Sequence, residues 1–161
     1  MLTIYKSPDK IDKVRIVTKK LIKETLKMGD KQRNYIAIPA FLKVESGALA
    51  KIGGYLKSHQ LNKVVIYFGN GLIDMFGSTV MESLRAAEVE VLEYREIDTV
   101  RLEDINELAF SLPNKTQAVI GLGGGKVIDA AKYVGFLQKI PFISVPTSSS
   151  SDGFSSASAS L

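Results

Sequence analysis

Four short runs constrain this chain more than any other feature: KVVIYFG (63–69), VEVLEY (89–94), QAVIGLG (117–123) and PFISVP (141–146). Most are continuous apolar stretches rich in β-branched and aromatic residues, which fits strands buried on both faces. Between them lie DMFGSTVMESLRAAE, LEDINELAFSL and GKVIDAAKYVGFLQ, whose apolar residues recur at helical spacing. Upstream, NYIAIP reads as another strand and SGALAKIGGYLKSH as a helix starting near Ser46. Gly53 and Gly54 inside that helix cost about 1 kcal/mol each relative to alanine, which close packing against the sheet would offset. No hairpin signal separates consecutive strands. Strand–helix alternation of this kind predicts an α/β fold, a parallel sheet with helices on both faces. In such sheets ligands bind beyond the carboxyl ends of the strands.

The bulk composition agrees with one globular domain. The 161 residues are 45% hydrophobic and 24% charged, with no cysteine, which excludes disulfides, thiolate metal sites and a cysteine nucleophile. The opening residues lack the apolar core of a signal peptide, and the longest candidate span, YIAIPAFL, is eight residues with a proline. A cytoplasmic location is therefore expected, and the NKT triplet at Asn114 carries no meaning as a glycosylation site.

Charge is placed unevenly. Residues 1–33 hold ten Lys/Arg against four Asp/Glu, whereas the rest of the chain holds eleven against thirteen. Within that basic segment Ile11, Val14, Val17, Leu21, Ile22, Thr25 and Met28 recur every three or four residues, with lysines on the other face. Residues 1–33 thus read as a basic amphipathic helix region, separate from an α/β domain over 34–161. A helix docked on the domain is the simpler account, and contact with an anionic membrane the sharper one. No aromatic residue interleaves the lysines between residues 10 and 30, which argues against nucleic acid.

The carboxyl ends of two predicted strands are the most unusual stretches in the chain. The first, GLGGGK, runs from a strand through Gly123, Gly124 and Gly125 into a helix near Lys126. Glycines let the backbone turn sharply and approach a ligand without a Cβ, and the following helix terminus offers unpaired N–H groups to a phosphate. Lys126 adds a full positive charge. The P-loop pattern fails here, because Ile120 and Val127 stand where it needs glycine and Ser/Thr. The GxGxxG fingerprint fails as well, because Lys126 stands at its third glycine. A tight structural turn remains the alternative. Asp129 lies one turn into the helix, and with Lys132 it has the spacing of a surface i,i+3 ion pair.

The second stretch, PTSSSSDG, delivers Thr147, four serines and Asp152 to the same edge. Hydroxyls and backbone N–H groups suit a diphosphate or a ribose. Composition alone would also allow a flexible linker, but placement directly after a core strand argues against it.

GLGGGKVIDAAKYV followed by IPFISVPTSSSSDGFSS resembles the superfamily of glycerol dehydrogenases, iron-type alcohol dehydrogenases and dehydroquinate synthases. Its PTxxSxDGxxS form is most similar to the glycerol-1-phosphate dehydrogenase branch. The resemblance runs from about Ile36 to Leu161 and implies a Rossmann-like dinucleotide-binding domain, with a second, all-helical domain absent from this chain. It implies that Gly123, Gly124, Gly125, Lys126 and Val127 cradle the pyrophosphate of NADP or NAD, with Asp129 on the same unit. Thr147, Ser150 and Ser156 would contact the cofactor, and Asp152 would face the substrate. The implied activity is hydride transfer between a nicotinamide and a small polyol phosphate, interconverting glycerol 1-phosphate and dihydroxyacetone phosphate, as a possible homo-oligomer.

The implied divalent metal, zinc in that branch, would be bound by the missing domain. One histidine, His59, and no cysteine cannot supply such a ligand set, so the isolated chain is expected to be inactive. His59 itself reads as an exposed residue near a helix end. An acid after a strand commonly selects NAD, yet Gly69-Asn70-Gly71 follows KVVIYF, which predicts tolerance of NADP. Glycerol dehydrogenase or another iron-type alcohol dehydrogenase, and a non-catalytic nucleotide-binding module, stand as the other readings.

Overall fold

The computed structural model describes residues 2–5, 41–98 and 101–147. Strands β1 (Leu2–Tyr5) and β2 (Phe41–Lys43) are followed by a 3₁₀ turn (Ala48–Lys51) and helix α1 (Ile52–Ser58). Then come β3 (Lys63–Gly69), α2 (Leu72–Ala86), β4 (Glu90–Ile97), α3 (Leu102–Phe110), β5 (Ala118–Gly123), α4 (Gly125–Gln138) and β6 (Phe142–Pro146). The sheet runs in the order β2-β1-β6-β5-β3-β4. Strands β4, β3, β5 and β6 pair in parallel, as the alternation predicts.

Helices cover both faces. Val64, Ile66, Phe68, Ile120, Leu122 and Ile143 point to one side, where Ile52 and Leu56 of α1 and Val80 and Leu84 of α2 close a core. Val65, Tyr67 and Val119 point to the other, under Ile105 and Ala109 of α3 and Val127, Ala131 and Val134 of α4. The period-two alternation along each strand therefore feeds two cores at once, which explains the unbroken apolar runs. Edge strand β4 keeps Glu90, Arg95 and Glu96 exposed, charges that discourage pairing with another sheet.

The sheet is mixed rather than wholly parallel, because β1 lies between β2 and β6 and is antiparallel to both. Four residues with partners distant in sequence leave no local turn signal to betray such a strand. The predicted strand over 34–39 and the predicted helix over 10–28 lie outside the described residues.

Gly53 packs against a helix, not the sheet. A Cβ there would fall 2.1 Å from the Ser83 carbonyl oxygen of α2, and its N–H donates to Ser83 Oγ at 3.1 Å. Gly54 faces open space. Gly53→Ala is expected to destabilise by about 1–3 kcal/mol through overpacking, and Gly54→Ala to stabilise by roughly 0.5–1 kcal/mol. Urea unfolding of the two variants checks both signs.

Glu45 ties the start of this domain together. Its Oε1 accepts from Tyr55 Oη at 2.5 Å and Lys51 Nζ at 3.0 Å, and its Oε2 lies 2.9 Å from Lys43 Nζ. The Tyr55 bond foremost, then Lys43 and Lys51, hold the carboxyl at about 2. A depressed carboxylate stabilises the fold above the ordinary carboxylate range and loses that contribution as pH falls toward the folded value. The Tm gap between wild type and Glu45→Gln is therefore expected to be widest near neutrality and to close as pH falls to about 2. A gap independent of pH would contradict this account.

Candidate functional site

The direction of winding reverses between β3 and β5, since β4 lies beyond one and β6 beyond the other. A crevice forms at such a switch point, at the carboxyl ends of the strands. Both strands end there in glycine, and the two backbones approach closely. A Cβ on Gly123 would lie 3.3 Å from the Gly69 nitrogen, and one on Gly69 would lie 3.7 Å from Gly123 Cα. Gly123 also has φ +155°, a conformation that side chains rarely adopt.

Gly124 is the N-cap of α4, with no side chain capping the helix and open space where its Cβ would be. The first helical bond runs from the Ile128 N–H to the Gly124 carbonyl at 3.2 Å. The amides of Gly125, Lys126 and Val127 precede it and have no intrahelical acceptor. Lys126 is exposed beside them. The Thr147 N–H donates to the Gly123 carbonyl at 3.1 Å, tying the start of the serine stretch to the glycine turn. The group this edge fits is an anion approached by backbone, such as the pyrophosphate of a dinucleotide.

Helix α2 begins at the same edge, behind Gly71 at φ +72° and again without a side-chain cap. Here the structure supplies a residue that sequence reasoning missed. Glu96 Oε1, at the end of β4, accepts from the Ile73 N–H at 3.4 Å. The loop 69–71 has no acid in sequence, yet one stands near it in space, placed by the register of β3 with β4.

The predicted site residues divide into three groups. Gly123, Gly124, Gly125, Lys126 and Thr147 meet at the carboxyl edge. Val127 is there too, but its side chain is core, so only its backbone is on offer. Asp129 and Lys132 form a buried pair at 3.1 Å, not the surface ion pair that their spacing suggests. Lys132 Nζ also sits 5.9 Å from the centre of the Phe142 ring, so packing of α4 on β6 is what covers the pair. Ser150, Asp152 and Ser156 lie outside the described residues.

Among the described residues no cluster of His, Cys, Asp or Glu could hold a metal. His59 is half-buried at the end of α1, its Nδ1 2.8 Å from the Tyr55 carbonyl, on the edge opposite the glycine turns. Tyr67, two residues before Gly69, is buried in the core, where burial and then the charge of Glu93 push its hydroxyl up to about 12. A concavity of about 530 Å³ between α2 and β4, lined by Ile73, Met81, Arg85 and Tyr94 among others, lies on the flank of the sheet away from the glycine turn of β5. No helix among the described residues is long and apolar enough to cross a membrane.

Residues 43–161 match the family described as iron-containing alcohol dehydrogenase. A glycerol-1-phosphate dehydrogenase, NAD(P)+, of Thermofilum pendens is 36% identical over 119 residues, covering 74% of this chain and 34% of that protein. One of the same name from Pyrobaculum islandicum is 34% identical over 126 residues, covering 78% of this chain and 33% of that protein. The chain thus spans about a third of the length of these relatives. Among solved structures, glycerol dehydrogenase of Schizosaccharomyces pombe superposes with a TM-score of 0.57 at 26% identity, covering 65% of this chain and 27% of that one. The match over residues 43–161, on a doubly covered parallel sheet with its glycine turn at the switch point, establishes that this chain belongs to the iron-containing alcohol dehydrogenase family.

Proposed function

We propose that the chain is the dinucleotide-binding part of an NAD(P)-dependent dehydrogenase that interconverts glycerol 1-phosphate and dihydroxyacetone phosphate. The observation that carries this reading is the meeting of Gly69 and Gly123 at the switch point, beside the uncapped start of α4. Relatives named for that activity supply the substrate class.

In this reading the turn Gly123-Gly124-Gly125 and the amides of Lys126 and Val127 hold the pyrophosphate, with the Lys126 ammonium adding charge. Thr147, Ser150 and Ser156 contact the cofactor, and Asp152 stands near the nicotinamide and faces the substrate. Asp129 acts at one remove, through its bond to Lys132. A bound nicotinamide supplies hydride acceptance; the residues of this chain bind and orient it. The described residues do not fit a divalent metal such as zinc, which this reading assigns to a second, helical domain. The isolated chain is then inactive, and in this reading the basic stretch of residues 6–33 is set apart from the catalytic half, to which β1 belongs.

The decisive assay uses the gene product extended past Leu161, following NADPH oxidation with dihydroxyacetone phosphate and with dihydroxyacetone, each with and without a chelator. Chelator-sensitive turnover of the phosphorylated ketone is expected. Turnover of the free ketone alone would move the assignment to glycerol dehydrogenase, which the Schizosaccharomyces pombe structure favours. Turnover of neither would leave a nucleotide-binding module.

Two substitutions test the binding edge. Gly124→Asp places a carboxylate in the open space beside the α4 amides and is expected to weaken dinucleotide binding by tenfold or more, about 1.4 kcal/mol, with unchanged circular dichroism. Asn70→Asp is expected to shift the kcat/KM ratio roughly tenfold toward NAD over NADP. An unchanged ratio would remove loop 69–71 from the adenosine ribose site.

A further inference from the structure

The edge opposite the glycine turns carries an apolar patch. Phe110 closes α3 and is 84% exposed, while Phe136 and Leu137, in the last turn of α4, are 74% and 39% exposed. The two helix ends are neighbours, since Gln138 Nε2 donates to the Ala109 carbonyl at 2.6 Å. Large aromatic side chains grouped in this way mark a contact surface rather than scattered exposure.

Topology says which part of the chain can reach it. Tyr5 pairs with Phe142, the first residue of β6, so β1 leaves the sheet at this same edge. Phe41 pairs with Ile4, so β2 begins there as well. Residues 6–40 therefore form an excursion that departs and returns beside the end of α4. Gly135 confirms how near that is, for a Cβ on it would lie 3.1 Å from Phe142 Cβ. After Thr147, by contrast, the chain leaves from the opposite edge.

We propose that residues 10–28 dock on this patch as a helix, with the stripe Ile11, Val14, Val17, Leu21, Ile22 and Met28 against Phe110, Phe136 and Leu137. A helix over 11–28 is roughly 25 Å long, enough to cross two packed helix ends whose axes lie about 10 Å apart. The four residues between Tyr5 and Lys10 reach up to about 14 Å. Charge favours the same arrangement. Glu107 lies one turn before Phe110 on α3, while the excursion carries the basic surplus of the chain. Docked this way, the stripe is covered and the lysines stay in water. The same stripe is then withheld from a membrane.

Limited trypsin digestion of the full gene product, read by mass spectrometry, tests this. Cleavage after Lys19, Lys20 and Lys23 should be slow in the wild type. It should accelerate on the order of tenfold, as local protection is lost, in Phe110→Asp/Phe136→Asp. Leu21→Asp, which leaves the sheet domain untouched, should give the same acceleration. Equal rates in wild type and both variants would overturn the proposal. So would protection that appears only with phosphatidylserine vesicles, which assigns the stripe to a membrane. Protection that fades on dilution would overturn it too, by placing the stripe on a second copy.

Discussion

Gly121 has no side chain, and α4 occupies the space that one would fill. A Cβ there would sit 2.7 Å from Ala131 Cβ and 3.0 Å from the Val127 carbonyl oxygen. Gly135 repeats the arrangement at the other end of the helix, against Phe142 Cβ and the Ile140 carbonyl. With Ala130 and Ala131 on its buried face, α4 lies flat on β5 and β6 along its whole length. That proximity fixes the start of the helix relative to the strand edge. In the proposed reading the amides that receive an anion must stand at a fixed distance from that edge, and here no bulk intervenes to let them shift.

Much of this was legible, because buried parallel strands announce themselves. After Lys63, KVVIYFG is buried throughout, as is AVIGLG, since both their faces are covered, and α4 spans the residues its pattern indicates. The glycine turn was legible for the same reason: three consecutive glycines between a strand and a helix have few structural uses. What stayed hidden depends on contacts distant in sequence. The spacing of Asp129 and Lys132 is the same for a surface pair and an interior one, and only Phe142 decides between them. Glu96 reaches α2 through the β3–β4 register, with a shift between Val64 and Val65 that no local pattern encodes. Gly53 reads as costly from sequence, but its partner, Ser83, is thirty residues away.

The two edges of the domain are built for different tasks. At the carboxyl edge the two connections beside the switch point are short and glycine-bearing: Asn70-Gly71 before α2, and Gly124 alone before α4. Short turns bring both helix starts to the surface above the sheet, that of α2 engaged by Glu96 and that of α4 without a side-chain cap. At the amino edge no connection between helix and strand is shorter than three residues, and β1 brings the chain back beside β6 in the reverse direction. The antiparallel β1–β2 pair thereby caps the β6 side of the sheet, while charges guard the β4 side. Neither edge strand competes for the crevice in the middle.

The buried Asp129–Lys132 pair fits this division of labour. Desolvating two charges offsets most of their attraction, so such a pair adds little net stability over an apolar one of equal volume. Both groups belong to α4, three residues apart, so the pair moves with the helix and does not itself fix its rotation. The rotation is set by the small face of Ala130, Ala131 and Gly135, the one that fits closely against Gly121 and Phe142. Glycines thus set how closely α4 approaches the sheet, its small-residue face sets the rotation, and that rotation carries the ion pair under Phe142. Together they determine where the amides of Gly125, Lys126 and Val127 point, one turn ahead of Asp129.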